Sequence, residues 1–183
     1  MMERIALFID GANLHFSARA LGFEIDFKRL LAEFSVRGQL VRAFFYTTIS
    51  DSPDFVGLRS LIDWLDYNGF MVKTKPAKEY DDGEGRRRVK RSMGVELAID
   101  AMEIADRMDH AYLFSGDGDF LRVTQALQRA GVRVTVVASA RTKPPLVAAE
   151  LRRQADSFLE LGDFRRAIER HPTHELRIRA RDL

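Results

Sequence analysis

Short apolar runs of strand type alternate along this chain with longer stretches in which apolar residues recur every three or four positions. That alternation predicts strands joined by helices, and so a doubly wound, mainly parallel sheet. Arg4–Asp10 is almost continuously apolar between its ends and predicts a first strand buried on both faces. A helical pattern follows over residues 13–34, broken near Gly22, with Asp26 placed to cap the segment bearing Phe27, Leu30, Leu31 and Phe34. Residues 40–49 predict the second strand. Pro53 then stands before a helical stripe of Val56, Leu58, Leu61, Ile62 and Leu65 that ends at Gly69, and residues 70–75 predict the third strand.

Residues 76–85 are turn-like and end in Asp-Asp-Gly-Glu-Gly, which predicts an excursion away from the sheet. A helix is expected over residues 93–108, with Val95, Ala98, Ile99, Met102 and Ala105 on one face. Residues 111–115 predict the fourth strand, 120–130 a helix stopped by Gly131, and 132–138 the fifth strand. Pro144-Pro145 precede a further helix to about residue 155, and residues 158–161 predict a short sixth strand. No repeat or low-complexity segment is present. The expected fold class is α/β, a three-layer sandwich around a mainly parallel sheet. One domain is expected over residues 1–165, with residues 166–183 as a C-terminal tail, polar and frayed from His171.

Length and composition narrow the function classes. A chain of 183 residues can bury a full core without disulfides or metal staples. It contains no cysteine, which excludes a thiolate zinc site and a cysteine nucleophile and suits a reducing compartment. No apolar run approaches the roughly 20 residues that span a bilayer, and residues 5–9 are too short for a signal-peptide core. A soluble, cytoplasmic protein without a membrane partner is expected. The net charge of +2 steers little.

The candidate chemistry lies in two acidic motifs at predicted strand ends. Asp10 closes the first strand in Phe8-Ile9-Asp10-Gly11-Ala12-Asn13, and Asp117 and Asp119 follow the fourth in Phe114-Ser115-Gly116-Asp117-Gly118-Asp119-Phe120. Ligands of open α/β sheets bind outside the carboxyl ends of the strands, so these acids can converge although far apart in sequence. Crowded carboxylates resist ionisation, and a hard cation such as Mg²⁺ or Mn²⁺ relieves the repulsion. The competing reading is capping: an Asp at a strand end often serves only the helix behind it, and Asp119 before Phe120 suits that role. There is no GxGxxG or Walker pattern. The four histidines show no ligand spacing.

The two motifs, in this order and with Val95-Glu96-Leu97-Ala98-Ile99-Asp100-Ala101 between them, resemble the NYN-domain family, in particular its LabA-like bacterial branch, whose fold and acids are similar to those of PIN-domain nucleases. The resemblance covers about residues 3–162. It implies a PIN-like fold, an acidic pocket holding Mg²⁺ or Mn²⁺, and hydrolysis of RNA phosphodiester bonds. Asp10, Asp117 and Asp119 match the family's metal-binding and catalytic acids, Asp100 its helix acid, and Asn13 its motif asparagine. In one departure, Gly94 stands where many LabA-like sequences carry an acid; Glu96 is the candidate substitute, four residues before Asp100 and so on the same helix face.

A basic stretch holds Lys73, Lys75, Lys78, Arg86, Arg87, Arg88, Lys90 and Arg91, partly offset by Asp81, Asp82 and Glu84. Clustering of this kind is the footprint of nucleic-acid binding, although many charge runs are only solvated surface. Arg86, Arg87, Arg88, Lys90 and Arg91, with Asn13 and Ser115, are the expected substrate contacts, and Arg141 and Lys143 were placed on the same side by their position after the fifth strand. The expected partner is single-stranded RNA, with a homodimer left open. The expected activity is a metal-dependent ribonuclease; the alternative is an RNA-binding regulatory module with weak or lost catalysis. A dehalogenase-type phosphatase is disfavoured because Ala12, rather than a second Asp, stands two residues after Asp10.

Overall fold

The computed structural model describes residues 2–49, 56–81, 87–90 and 92–171. Six strands form one sheet: β1 (Arg4–Asp10), β2 (Gln39–Ile49), β3 (Phe70–Pro76), β6 (His110–Phe114), β7 (Arg133–Ala138) and β8 (Ser157–Glu160). Their order is β3-β2-β1-β6-β7-β8, and every neighbouring pair is parallel. The chain winds outward from β1 through β2 to β3, then returns to the other side of β1 and winds out through β7 to β8. Between β1 and β6 the winding reverses, which opens a crevice at their carboxyl ends.

Alternation along β1 explains the three layers. Ala6 and Phe8 face one side, with Phe44, Tyr46, Leu113, Val134 and Val136, under α4 (Gly94–Glu103), α5 (Leu121–Arg129) and α6 (Ala149–Gln154). Ile5, Leu7 and Ile9 face the other, with Phe45, Tyr112 and Phe114, under α1 (Gly11–Ala20), α2 (Phe27–Ser35), α3 (Val56–Tyr67) and α7 (Arg165–Ile168). The Phe8 and Phe44 rings stack at 5.3 Å across β1 and β2, with Tyr46 next in the row. Among the described residues no helix is long and apolar enough to cross a membrane.

The six sheet strands lie within a residue of the spans read from the sequence. Asp26 caps α2, its Oδ1 accepting the Arg29 amide at 3.1 Å, and Gly69 closes α3 at a φ of +87°. The excursion after β3 contains paired structure: β4 (Lys78–Asp81) and β5 (Arg87–Lys90) form a separate antiparallel ribbon. The helix expected over residues 93–108 stops at Glu103 and continues as one 3-10 turn, Ala105–Arg107. After β8 the chain turns back through α7 onto α2. Ile168 is 1 % exposed, and the Arg29 side chain donates to the Arg166, Ala167 and Glu169 carbonyls. The expectations on Pro53, on the Asp-Asp-Gly-Glu-Gly turn beyond Asp81 and on the tail beyond His171 lie outside the described residues.

Two glycines separate steric need from tolerance. A Cβ on Gly116, just after β6, would lie 1.8 Å from the Leu146 carbonyl oxygen, whereas one on Gly57 in α3 would meet nothing within 4 Å among the described residues. Gly116→Ala should therefore lower unfolding stability by about 2–4 kcal/mol, because backbone must move. Gly57→Ala should keep or raise it, by up to about 1 kcal/mol of helix propensity. Urea denaturation midpoints of the two variants check the contrast.

Candidate active site

The crevice is built by one short set of hydrogen bonds between two loops. β1 ends at Asp10, whose carboxylate caps α1 by accepting the Asn13 amide at 3.2 Å. Ile9 pairs with Phe114, so the residue after β6, Ser115, lies beside Asp10 and donates its hydroxyl to Asp10 Oδ2 at 3.1 Å. Ser115 Oγ in turn accepts the Asp117 amide at 3.2 Å. Asn13 closes the connection, its Oδ1 accepting the Gly116 amide at 3.2 Å. Asp117 Oδ1 accepts the Asp119 amide at 3.0 Å, opening the 3-10 turn Gly118–Phe120 that leads into α5.

These bonds leave the acids in unlike surroundings. Asp10 is half-buried, whereas Asp117 and Asp119 are exposed. Burial pushes the Asp10 carboxyl above its ordinary range. The Asn13 and Ser115 donors oppose that shift and the charge of Asp117 adds to it. Among the described residues no three His, Cys, Asp or Glu side chains are gathered as a ready-made cation site. The donor chemistry nonetheless suits a hard cation. Asp10 and Asp117 are oxygen donors whose repulsion a divalent ion relieves, and Mg²⁺ commonly takes only one or two carboxylates and keeps several waters.

A second polar cluster lies on the α4 face of the same strand ends. Asp10, Tyr46 and Lys73 are successive partners across β1, β2 and β3. The Tyr46 hydroxyl, on a fully buried side chain, donates to Asp100 Oδ2 at 3.0 Å, and Lys73 Nζ lies 3.8 Å from Asp100 Oδ1. Lys75 bonds both carboxylate oxygens of Glu96, at 2.8 and 2.9 Å. Burial, reinforced by Asp100, holds the Tyr46 phenol far above its ordinary range, so it stays a neutral donor. Lys73 and Lys75, read from the sequence as part of the basic stretch, thus face the two acids of α4. Gly94 begins α4, and a Cβ there would meet Ser92 and Phe120 only at ordinary contact distances of 3.6–3.9 Å.

The remaining expectations divide as follows. Arg86 and Arg91 lie outside the described residues. Arg87, Arg88 and Lys90 stand on β5, opposite Asp81, Tyr80 and Lys78. Arg141 leaves the crevice to pair with Asp163, one bond being 3.1 Å long. Lys143 is exposed. The sequence reading missed Tyr46. A buried tyrosine needs a partner for its hydroxyl, and its position near the carboxyl end of a buried strand was the available signal.

The raised Asp10 carboxyl has a definite sign in stability. The fold favours the protonated form, so this group's contribution is present in acid and is lost as pH rises through the raised native value. In metal-free buffer, Asp10→Asn should therefore melt above the parent protein at pH 7, and the gap should close below about pH 4, where both states carry a neutral carboxyl. Paired calorimetric melts across that range measure it.

The NYN domain matches this chain over residues 4–169. The Low amplitude and bright protein LabA of Synechococcus elongatus is 35% identical over 172 residues, covering 92% of this chain and 89% of that protein. The crystal structure of a protein of unknown function from Vibrio parahaemolyticus superposes with a TM-score of 0.70 at 29% identity, covering 87% of this chain and 93% of that one. The parallel three-layer fold, the acids at its crevice and these matches together place the chain in the NYN-domain family, in its LabA-like branch.

Proposed function

We propose that this chain is a metal-dependent ribonuclease that hydrolyses phosphodiester bonds of single-stranded RNA in the cytoplasm. The observation that carries the reading is the half-buried Asp10 carboxylate at the central strand end, held by Ser115 and Asn13 and repelled by Asp117. Asp10, Asp117 and Asp119 would hold Mg²⁺ or Mn²⁺, which when bound supplies an acidified water and neutralises charge on the phosphoryl group.

The chain's own residues do the positioning. Ser115 orients Asp10 and at the same time accepts the Asp117 amide, which ties the two acids to one hydroxyl. Asn13 holds the Gly116 backbone and so the start of the loop that carries Asp117 and Asp119. Neutral Tyr46 fixes Asp100 beside this row, where the carboxylate can accept from a water or a ribose hydroxyl. Arg86, Arg87, Arg88, Lys90 and Arg91 are assigned to the RNA backbone, where neutralising phosphates adds affinity without sequence preference.

One observation favours a second reading, an RNA-binding regulatory module without turnover. Two acids of α4 are already engaged, Glu96 by Lys75 and Asp100 by Tyr46, and Gly94 brings no further carboxylate to the start of the helix. Labelled single-stranded RNA incubated with Mn²⁺, Mg²⁺ or EDTA separates the two. The ribonuclease cleaves with either ion and not in EDTA, and Asp10→Asn reduces the rate by about 100-fold or more, as loss of a metal ligand should. Cleavage that ignores both EDTA and Asp10→Asn would overturn the metal mechanism. Tight, EDTA-insensitive retention of uncleaved RNA would establish the module.

A further inference from the structure

We propose that the cavity on the α1–α3 side of β2 is a base subsite, taking one unstacked nucleobase of the RNA strand that lies at the acids. The inference rests on the RNA reading above and adds a site that reading does not use. The cavity encloses about 670 Å³, with walls that include Phe23, Phe27, Phe45, Thr47 and Thr48. It opens at the carboxyl edge of the sheet, the same edge as the acids. Asp10 is level with Tyr46 on β2, so Thr47 and Thr48 stand one and two residues further out.

The cavity and the acids share a wall. Gly11, next after Asp10, presses on the Phe45 ring so closely that a Cβ would come within 2.5 Å of it. Phe27 stands edge-on to Phe45, with centroids 5.4 Å apart and planes at 89°. Phe45 points away from the Tyr46–Asp100 contact, so the cavity and that contact occupy opposite faces of one strand end. A nucleic-acid strand crossing the edge would therefore meet carboxylates at the crest and an aromatic recess one step beyond.

The wall chemistry selects the kind of ligand. Rings and aliphatic surface accept a flat apolar face, while the Thr47 hydroxyl, His15 and Glu24 offer donors and acceptors to a heteroaromatic edge. The cavity is a poor phosphate site, since Arg170 at its rim is matched by Glu24 at 3.7 Å. A base that stacks or inserts against aromatic side chains commonly contributes about 1–3 kcal/mol, or roughly ten- to a hundredfold in affinity.

The test compares binding of a short single-stranded RNA with binding of the same strand made abasic, in EDTA so that neither is cleaved. Wild-type protein should prefer the base-bearing strand by at least about tenfold. Gly57→Leu, which enlarges a residue lining the cavity, and the near-isosteric Thr47→Val should each reduce that preference. A fall in either folded variant supports the subsite. Asp10→Asn should keep the full preference; a wild-type protein that discriminates bases but cleaves no RNA with Mn²⁺ or Mg²⁺ would sink the ribonuclease reading and leave the subsite standing. Equal affinity of wild-type protein for the two strands, or full discrimination in both cavity variants, overturns the proposal. Saturable binding of free nucleoside 5′-monophosphates, without a gain from bases within a strand, would also overturn it in favour of a mononucleotide site.

Discussion

The carboxyl edge depends on how closely the loop after β6 approaches the start of α1. Asn13 and Ser115 each bridge the gap, one to the Gly116 amide and the other to the Asp10 carboxylate, and Gly116 leaves no room for even a methyl group beneath Leu146. Parallel pairing of β1 with β6 brings these loops into register, and the reversal of winding between them keeps the crevice open. Because Asp10 also caps α1, one carboxylate carries helix termination, loop docking and the acidity of the site. Its burial is therefore a consequence of assembly, and the raised carboxyl follows from that burial.

Around this point the charges are arranged by sheet face. On the α4 side Glu96 and Asp100 each have a partner from the sheet, Lys75 for the first and Tyr46 and Lys73 for the second. Between α4 and the crest, Asp10 and Asp117 repel one another. On the opposite side the end of β2 is aromatic and hydroxylic, with its rim cation matched by an anion.

Much of the fold was legible because the central strands carry apolar runs and several strands are bounded by clear stops. Asp10 ends β1, Gly69 precedes β3 and Gly131 precedes β7, and buried parallel strands are rich in apolar residues. The ribbon β4–β5 was harder to read, since its strands are four residues each and mostly charged, so their sequences carry no apolar period. The end of α4 was also overshot: Ala105 continues the apolar stripe, but a 3-10 turn carries it into the core. At the site, the acids stood out through glycine-flanked motifs at strand ends. The engagement of Lys73 and Lys75 by α4 did not, because a salt bridge between a strand and a helix some 20 residues on leaves no local spacing to read. Tyr46 was hidden for a related reason, as its hydroxyl partner lies 54 residues away.

The central claim is that Asp10 and its neighbours form a cation-binding crest. Thermal unfolding in rising Mn²⁺ tests it most directly, because an ion that binds only the folded chain raises its melting temperature in proportion to the logarithm of its excess over Kd. Wild-type protein should show a rise at neutral pH that grows with the logarithm of Mn²⁺ above Kd and that EDTA reverses, and Asp10→Asn should show little or none. An equal rise in both proteins, or no rise in either, would contradict the account.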